Sequence, residues 1–239
     1  MISRWINRLL ARMAHLRFLG APLLRLVTYP RRSHFPGSSL YWDLRYSRGG
    51  TSGAGSFGDY AVFKADVVNR FVTEHQISSV TEFGCGDGNQ LSLMKYPSYL
   101  GLDISPTAIN LCRQRFANDP TKRFMLYEPM KTSPSTLLAD ATASLDVIYH
   151  LVEDVVFEKY LSDLFAAAGR YVIIFSSNTD FNPPYTGPHV KHRRFSDYID
   201  RCLPEWRLFE TVPNPIANDE KSDSIATAAT FHIYKKGHD

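Results

Sequence analysis

The chain has 239 residues, 44% apolar and 21% charged, which excludes a disordered or fibrous polymer and leaves room for one α/β domain with an appendage. Residues 1–34 hold Arg4, Arg8, Arg12, Arg17, Arg25, Arg31 and Arg32 with no acid, so taking those charges from the net +3 leaves −4 for the remainder. A mildly acidic body argues against a general nucleic-acid surface, and no nucleic-acid partner is expected.

In the basic arm, Ile2, Trp5, Ile6, Leu9, Leu10, Met13 and Leu16 follow a spacing of three and four, which predicts an amphipathic helix over residues 2–17. Arg4, Arg8 and Arg12 lie on another side of it and interrupt every apolar run well short of the roughly 18 residues that a membrane span needs. Two readings stand. The helix lies in a membrane interface with its arginines on anionic headgroups, or it packs on protein as a lid or a subunit interface. Gly20-Ala21-Pro22 ends it and the stretch from Pro30 to Gly37 reads as a linker, so residues 1–37 form an arm and 38–239 the folded domain. Cys85, Cys112 and Cys202 match no zinc or redox spacing and point to a reducing, cytoplasmic setting; the membrane reading of the arm adds a peripheral place at the inner face. Cys85 reads as a small buried hydrophobe.

From Tyr41 onward short apolar segments alternate with helix-length ones, the pattern of a parallel sheet covered on both faces. Strands are predicted at Ser79 to Phe83, Tyr99 to Ile104, Arg123 to Glu128, Leu145 to Leu151 and Tyr171 to Ser177. A closing pair near Trp206 to Val212 and Ala228 to Lys235 would form an antiparallel edge. The stretch from Asn178 to His192, rich in proline, histidine and glycine, is irregular.

The segment Glu82-Phe83-Gly84-Cys85-Gly86-Asp87-Gly88 ends the first strand and precedes a run read as helical. Glycines at such a turn let the backbone approach a ligand, and ligand sites in open α/β sheets form at the carboxyl ends of the strands. A dinucleotide fingerprint needs glycines at its first, third and sixth positions. Here Asn89 holds the sixth place, and the leading acid suits an amine better than a phosphate. Asp103 closes the second strand nineteen residues after Gly84, where a carboxylate can accept ribose hydroxyls.

Acid-x-Gly-x-Gly-x-Gly followed by an acid at the end of the next strand resembles the class I S-adenosylmethionine-dependent methyltransferases, over roughly residues 40 to 236. The resemblance implies a Rossmann-like, doubly wound, mostly parallel seven-stranded sheet and S-adenosylmethionine as methyl donor. It further implies that Gly84, Gly86 and Gly88 back the methionine part, that Glu82 lies near its amino group and that Asp103 grips the ribose. Glu128 takes the place of an acid near the adenine, although Pro129 follows it where the family has a small residue. Tyr41 and Trp42, in Tyr41-Trp42-Asp43-Leu44-Arg45-Tyr46, match an aromatic segment folded over the cofactor, or else belong to the core. The glycine-rich run from Gly49 to Gly58 either orders on ligand binding or is a linker.

Methyl transfer needs proximity, and a base when the acceptor is a hydroxyl. His150 matches the family position facing the acceptor, and imidazole takes a proton near neutral pH; its other reading is pocket wall. Glu153 and Asp154 follow it as orienting groups or as caps of the next helix. His189, His192 and Arg193 follow the fifth strand and could hold an anionic acceptor; two histidines with loose acids are a weak metal signal, and no metal is assigned. Asn182-Pro183-Pro184-Tyr185 matches the tetrapeptide of amino-methylating DNA enzymes, but it stands after the fifth strand instead of the fourth. The sequence reading is an enzyme methylating an oxygen of a small or glycan-like, anionic acceptor. The alternatives are N-methylation or a non-catalytic S-adenosylmethionine-binding subunit.

Overall fold

The computed structural model describes residues 35–184, 186–218 and 229–237, which from Pro36 onward fall in one compact unit. The predicted helix of residues 2–17 and the linker up to residue 34 lie outside the described residues.

Seven strands form one sheet: β1 (Val80–Phe83), β2 (Tyr99–Asp103), β3 (Lys122–Leu126), β4 (Ala139–Leu145), β5 (Ala168–Ser176), β6 (Trp206–Val212) and β7 (Thr230–Lys236). Their order is β3-β2-β1-β4-β5-β7-β6. The first five strands pair in parallel, and β7 runs antiparallel to both β5 and β6. This is the mostly parallel sheet with an antiparallel edge that the sequence predicts. The strand order reverses at β1 and β4, so a crevice opens beyond their carboxyl ends.

Among the described residues five α-helices flank the sheet: α1 (Ser38–Ser47), α2 (Gly58–Glu74), α3 (Pro106–Arg115), α4 (Asp154–Ala166) and α5 (Phe195–Cys202). The stripe Ala65, Val68, Phe71 and Val72 of α2 packs on Ala141, Ala143, Ile173 and Phe231. On the opposite face Leu161, Leu164 and Phe165 of α4 meet Phe83, Leu102, Val172 and Ile174. Consecutive β5 residues thus serve opposite layers, which explains its continuous apolar run. Each fully buried Leu, Phe or Val contributes roughly 1.5–3 kcal/mol. Ser105 caps α3 by accepting from the Ala108 N–H at 3.1 Å, with Pro106 in the first turn.

Two predicted elements are displaced. The fourth strand is Ala139–Leu145 rather than Leu145 to Leu151. Its small and polar residues hide it from hydropathy: Ala141 and Ala143 fit under α2, while Thr142 donates to the Leu164 carbonyl and Ser144 pairs with Tyr160 in the α4 layer. After Leu145 the chain turns sharply at Asp146, which adopts a left-handed φ of 61°, and Ile148–His150 is a single 3-10 turn. The run after the glycine loop is likewise one 3-10 turn, Gln90–Leu93, because Pro97 and the start of β2 leave no length for a helix.

Candidate active site

A cavity of roughly 850 Å³, open solvent included, lies at the carboxyl ends of β1, β2 and β4, with Glu82, Gly84, Gly86, Asp103 and Leu145 in its wall. A second cavity of roughly 580 Å³, again with open solvent included, adjoins it, walled by Arg45, Tyr149 and His189 and by the loop Gly53 to Gly55. Trp42, Ser52, Asp146 and His150 line both. These four residues are the partition between the cavities.

The first cavity is built on buried acids. Glu82 accepts from the Tyr99 hydroxyl at 2.7 Å. Burial raises its pKa to about 7, against the pull of the Tyr99 bond and the Lys64 charge, and with a further push from Asp103. Asp103 accepts from the Gly86 N–H and the Ser105 N–H, each at 2.9 Å, yet burial still raises it to about 6. Gly86 has φ 57°, and a Cβ there would collide with Ser52 Oγ. That approach matters because Ser52 clamps the loop: the Asp87 N–H donates to Ser52 Oγ at 3.0 Å and the Ser52 N–H donates back to Asp87 at 3.1 Å. The glycine-rich run that precedes β1 is therefore docked on the glycine loop.

Gly88, by contrast, faces Phe116 and Cys112 of the α3 region and does not line the cavity; it permits packing rather than ligand approach. Glu128 also lies outside, paired to Lys131 at 2.7 Å on the surface, while its neighbours Tyr127 and Pro129 line the wall. Tyr41 stacks on His189 at 4.7 Å, while Trp42 faces both cavities and Tyr46 the first. Asp43 holds α1 in place by accepting from Ser105 Oγ at 2.6 Å and the Thr107 N–H at 3.2 Å. Cys85 and Cys112 are buried, and Cys112 donates to the Gly86 carbonyl at 3.2 Å.

His150 stands in the partition. Its Nδ1 is 3.0 Å from the His189 carbonyl, which can only accept, so Nδ1 carries the proton and Nε2 the lone pair. Its ring lies 4.8 Å from that of Trp42 and stacks with His189 at 5.4 Å. Burial lowers its pKa to about 4, the His189 carbonyl opposing and the Arg45 charge adding to the fall.

Glu153 does not orient His150: it accepts from the Ser38 N–H at 2.8 Å and the Ser38 hydroxyl at 2.6 Å, tying down the start of α1. Asp154 is exposed and bound to Lys191 at 2.6 Å and Arg193 at 2.7 Å. Arg193 donates also to the carbonyls of Leu151 and Val152 at 2.5 and 2.7 Å, so its guanidinium is occupied as a pin. His192 is buried against Ser177 at 2.6 Å. Of the three residues expected at the acceptor, only His189 reaches a cavity.

Sequence reasoning missed Lys64, Asp146 and Gln90. Lys64 is 1% exposed and reaches Asp146 at 2.5 Å beneath the partition; the signal was a lysine on the apolar stripe of α2. Asp146 also accepts from the Tyr149 hydroxyl at 2.8 Å. Gln90 lines the first cavity, its amide nitrogen donating to the Ala61 carbonyl at 2.9 Å while its oxygen is buried without a partner among the described residues.

This donor set fits S-adenosylmethionine. Two buried acids with raised pKa values and an unsatisfied amide oxygen favour a ligand bringing a cation and hydroxyl donors. A family described as a methyltransferase domain matches residues 81–172. No curated protein matches the chain in sequence. Among solved structures, the N-methyltransferase NodS from Bradyrhizobium japonicum, in complex with S-adenosyl-L-homocysteine, superposes with a TM-score of 0.63 at 11% identity, covering 84% of this chain and 100% of its own. Magnesium protoporphyrin IX methyltransferase from Synechocystis gives 0.56 at 16% identity, covering 74% of this chain and 83% of its own. An S-adenosylmethionine-dependent methyltransferase from Clostridium acetobutylicum gives 0.55 at 13%, covering 76% and 93%. The methyltransferase-domain match over residues 81–172 thus falls inside a fold that the chain shares with S-adenosylmethionine-dependent methyltransferases.

Proposed function

We propose that the enzyme methylates a hydroxyl oxygen of a small acceptor held in the second cavity, with His150 as general base. The observation that carries this reading is the fixed tautomer of His150 in the wall common to both cavities. Glu82 and Gln90 would receive the ammonium end of S-adenosylmethionine and Asp103 its ribose. When bound, that cofactor supplies an electrophilic methyl carbon, which the acceptor oxygen takes as the carbon–sulfur electron pair leaves with sulfur. His150 Nε2 takes the hydroxyl proton and passes it to solvent. Because burial holds the ring neutral down to a pH of about 4, its lone pair is available across the neutral range.

The test is label transfer from S-adenosylmethionine into fractionated extract. His150→Ala should cut turnover by about 10²–10⁴-fold while S-adenosylhomocysteine affinity holds. Unchanged transfer would remove His150 as base and favour an amine acceptor. Cofactor binding without transfer to any fraction would favour the binding-subunit reading. For the basic arm, residues 2–17, peripheral membrane contact is proposed from its charge and periodicity; equal flotation of the chain with anionic and neutral vesicles would sink it.

A further inference from the structure

The second cavity has a chemistry of its own. Its broad surfaces are the rings of Trp42, Tyr149, His150 and His189. Several of its polar atoms are already occupied: the Tyr149 hydroxyl by Asp146, Asp146 by Lys64, His150 Nδ1 by the His189 carbonyl, and the Ser52 hydroxyl by the Asp87 N–H. Arg45 differs. Its Nε donates to the Thr51 carbonyl at 2.6 Å and its guanidinium lies 5.5 Å from the Trp42 ring centroid, but among the described residues it meets no carboxylate. Asp146 is neutralised by Lys64, and both histidines are held toward neutrality, so Arg45 leaves the cavity with an unbalanced positive charge.

A sugar would set its hydroxyls against walls made mainly of ring faces, and each hydroxyl buried without a partner costs roughly 1–3 kcal/mol. A flat conjugated ring would stack on the walls, and the terminal nitrogens of Arg45 would take a carboxylate in a forked pair. We propose that the second cavity takes a planar hydroxyaryl acid, its carboxylate on Arg45, its ring among Trp42, Tyr149 and His189, and its hydroxyl toward His150. This rests on the methyl-transfer reading above, and it replaces His192 and Arg193 with Arg45 as the anion-binding group.

Calorimetric titration of the full chain with 4-hydroxybenzoate, with and without S-adenosylhomocysteine, tests it. Binding is expected to weaken about tenfold or more with 4-hydroxybenzamide or with Arg45→Gln, and to be partly kept by Arg45→Lys, which retains the charge. S-adenosylhomocysteine affinity should stay the same in both variants. The acid should also raise the pKa of His150, followed by NMR, because it cancels the Arg45 charge that depresses it; a merely structural Arg45 would not produce that shift. Equal binding of acid and amide, full binding by Arg45→Gln, no binding of the acid, or tighter binding of glucuronate would each overturn the inference. Failure of S-adenosylhomocysteine to bind while the acid still binds through Arg45 would support the anion site and bring down the reading beneath it instead.

Discussion

The two cavities share a wall but are made in opposite ways. The first draws Glu82, Asp103 and its glycines from one contiguous stretch, residues 82–103, and is lined by buried carboxyl groups. The second gathers Trp42 and Arg45 from α1, Asp146, Tyr149 and His150 from the turn after β4, and His189 from a distant loop, and its unbalanced charge is positive. A contiguous acidic half suits a ligand that is common to a family, while an assembled half can change with each loop that enters it. Lys64 stands between them, bonded to Asp146 and holding down the pKa of Glu82.

The largest effect is therefore expected at Lys64. Lys64→Met strands the Asp146 carboxylate beside two cavities and removes a cation that steadies Glu82, and breaking such a buried pair costs about 3–5 kcal/mol. Denaturant unfolding should show that loss, and adding Asp146→Asn should recover much of it. No recovery in the double variant would mean that Lys64 serves the acidic half alone and that the partition does not couple the two.

Next comes Glu82. Between pH 4.5 and about 7 the folded chain keeps a proton on Glu82 that the unfolded chain has released, so this group lowers stability as pH rises through that window. His150 acts with the opposite sign. Between pH 6.5 and about 4 the unfolded chain binds a proton that the folded ring refuses, so stability falls as pH falls. Glu82→Gln should stabilise the chain without ligand by up to about 3 kcal/mol at pH 8, with the gain vanishing below pH 4.5, and should weaken S-adenosylhomocysteine binding. A pH-independent gain would show that packing, not charge, sets the acidic half apart.

The same contrast explains what was legible in the sequence. The acid-glycine spacing and Asp103 lie close together in the chain, and the structure brings Glu82, Gly84, Gly86 and Asp103 to one cavity as that spacing suggests. Gly88 shares the spacing and Glu128 the resemblance, but neither is in the wall, since side-chain direction is not written in a motif. The sheet was readable from apolar runs except at β4, where Ala141 and Ala143 fit beneath α2 and the buried hydroxyls of Thr142 and Ser144 are satisfied by α4. Arg45 and Asp146 could not be singled out, because only the folded chain shows that Asp146 is paired with Lys64 while Arg45 meets no carboxylate among the described residues. Arg193 looked equally available in sequence, and the carbonyls that occupy it belong to residues more than forty positions away.

The smallest effect is expected just outside the second cavity. Asp154 follows His150 closely enough in sequence to suggest a catalytic partner, but its carboxylate is exposed and bonded to Lys191 and Arg193. Those bonds, Lys191 first, hold its pKa near 2, while solvent screens the attraction, so the cluster contributes under about 1 kcal/mol. Asp154→Asn should leave Arg193 pinned by the Leu151 and Val152 carbonyls and lower stability by no more than that, with the difference shrinking as salt is added. Label transfer should stay within about twofold of the parent, because the remaining contacts of Arg193 preserve the turn that carries His150. A larger loss at unchanged stability would place Asp154 in the proton path and extend the working surface of the second cavity beyond its aromatic walls.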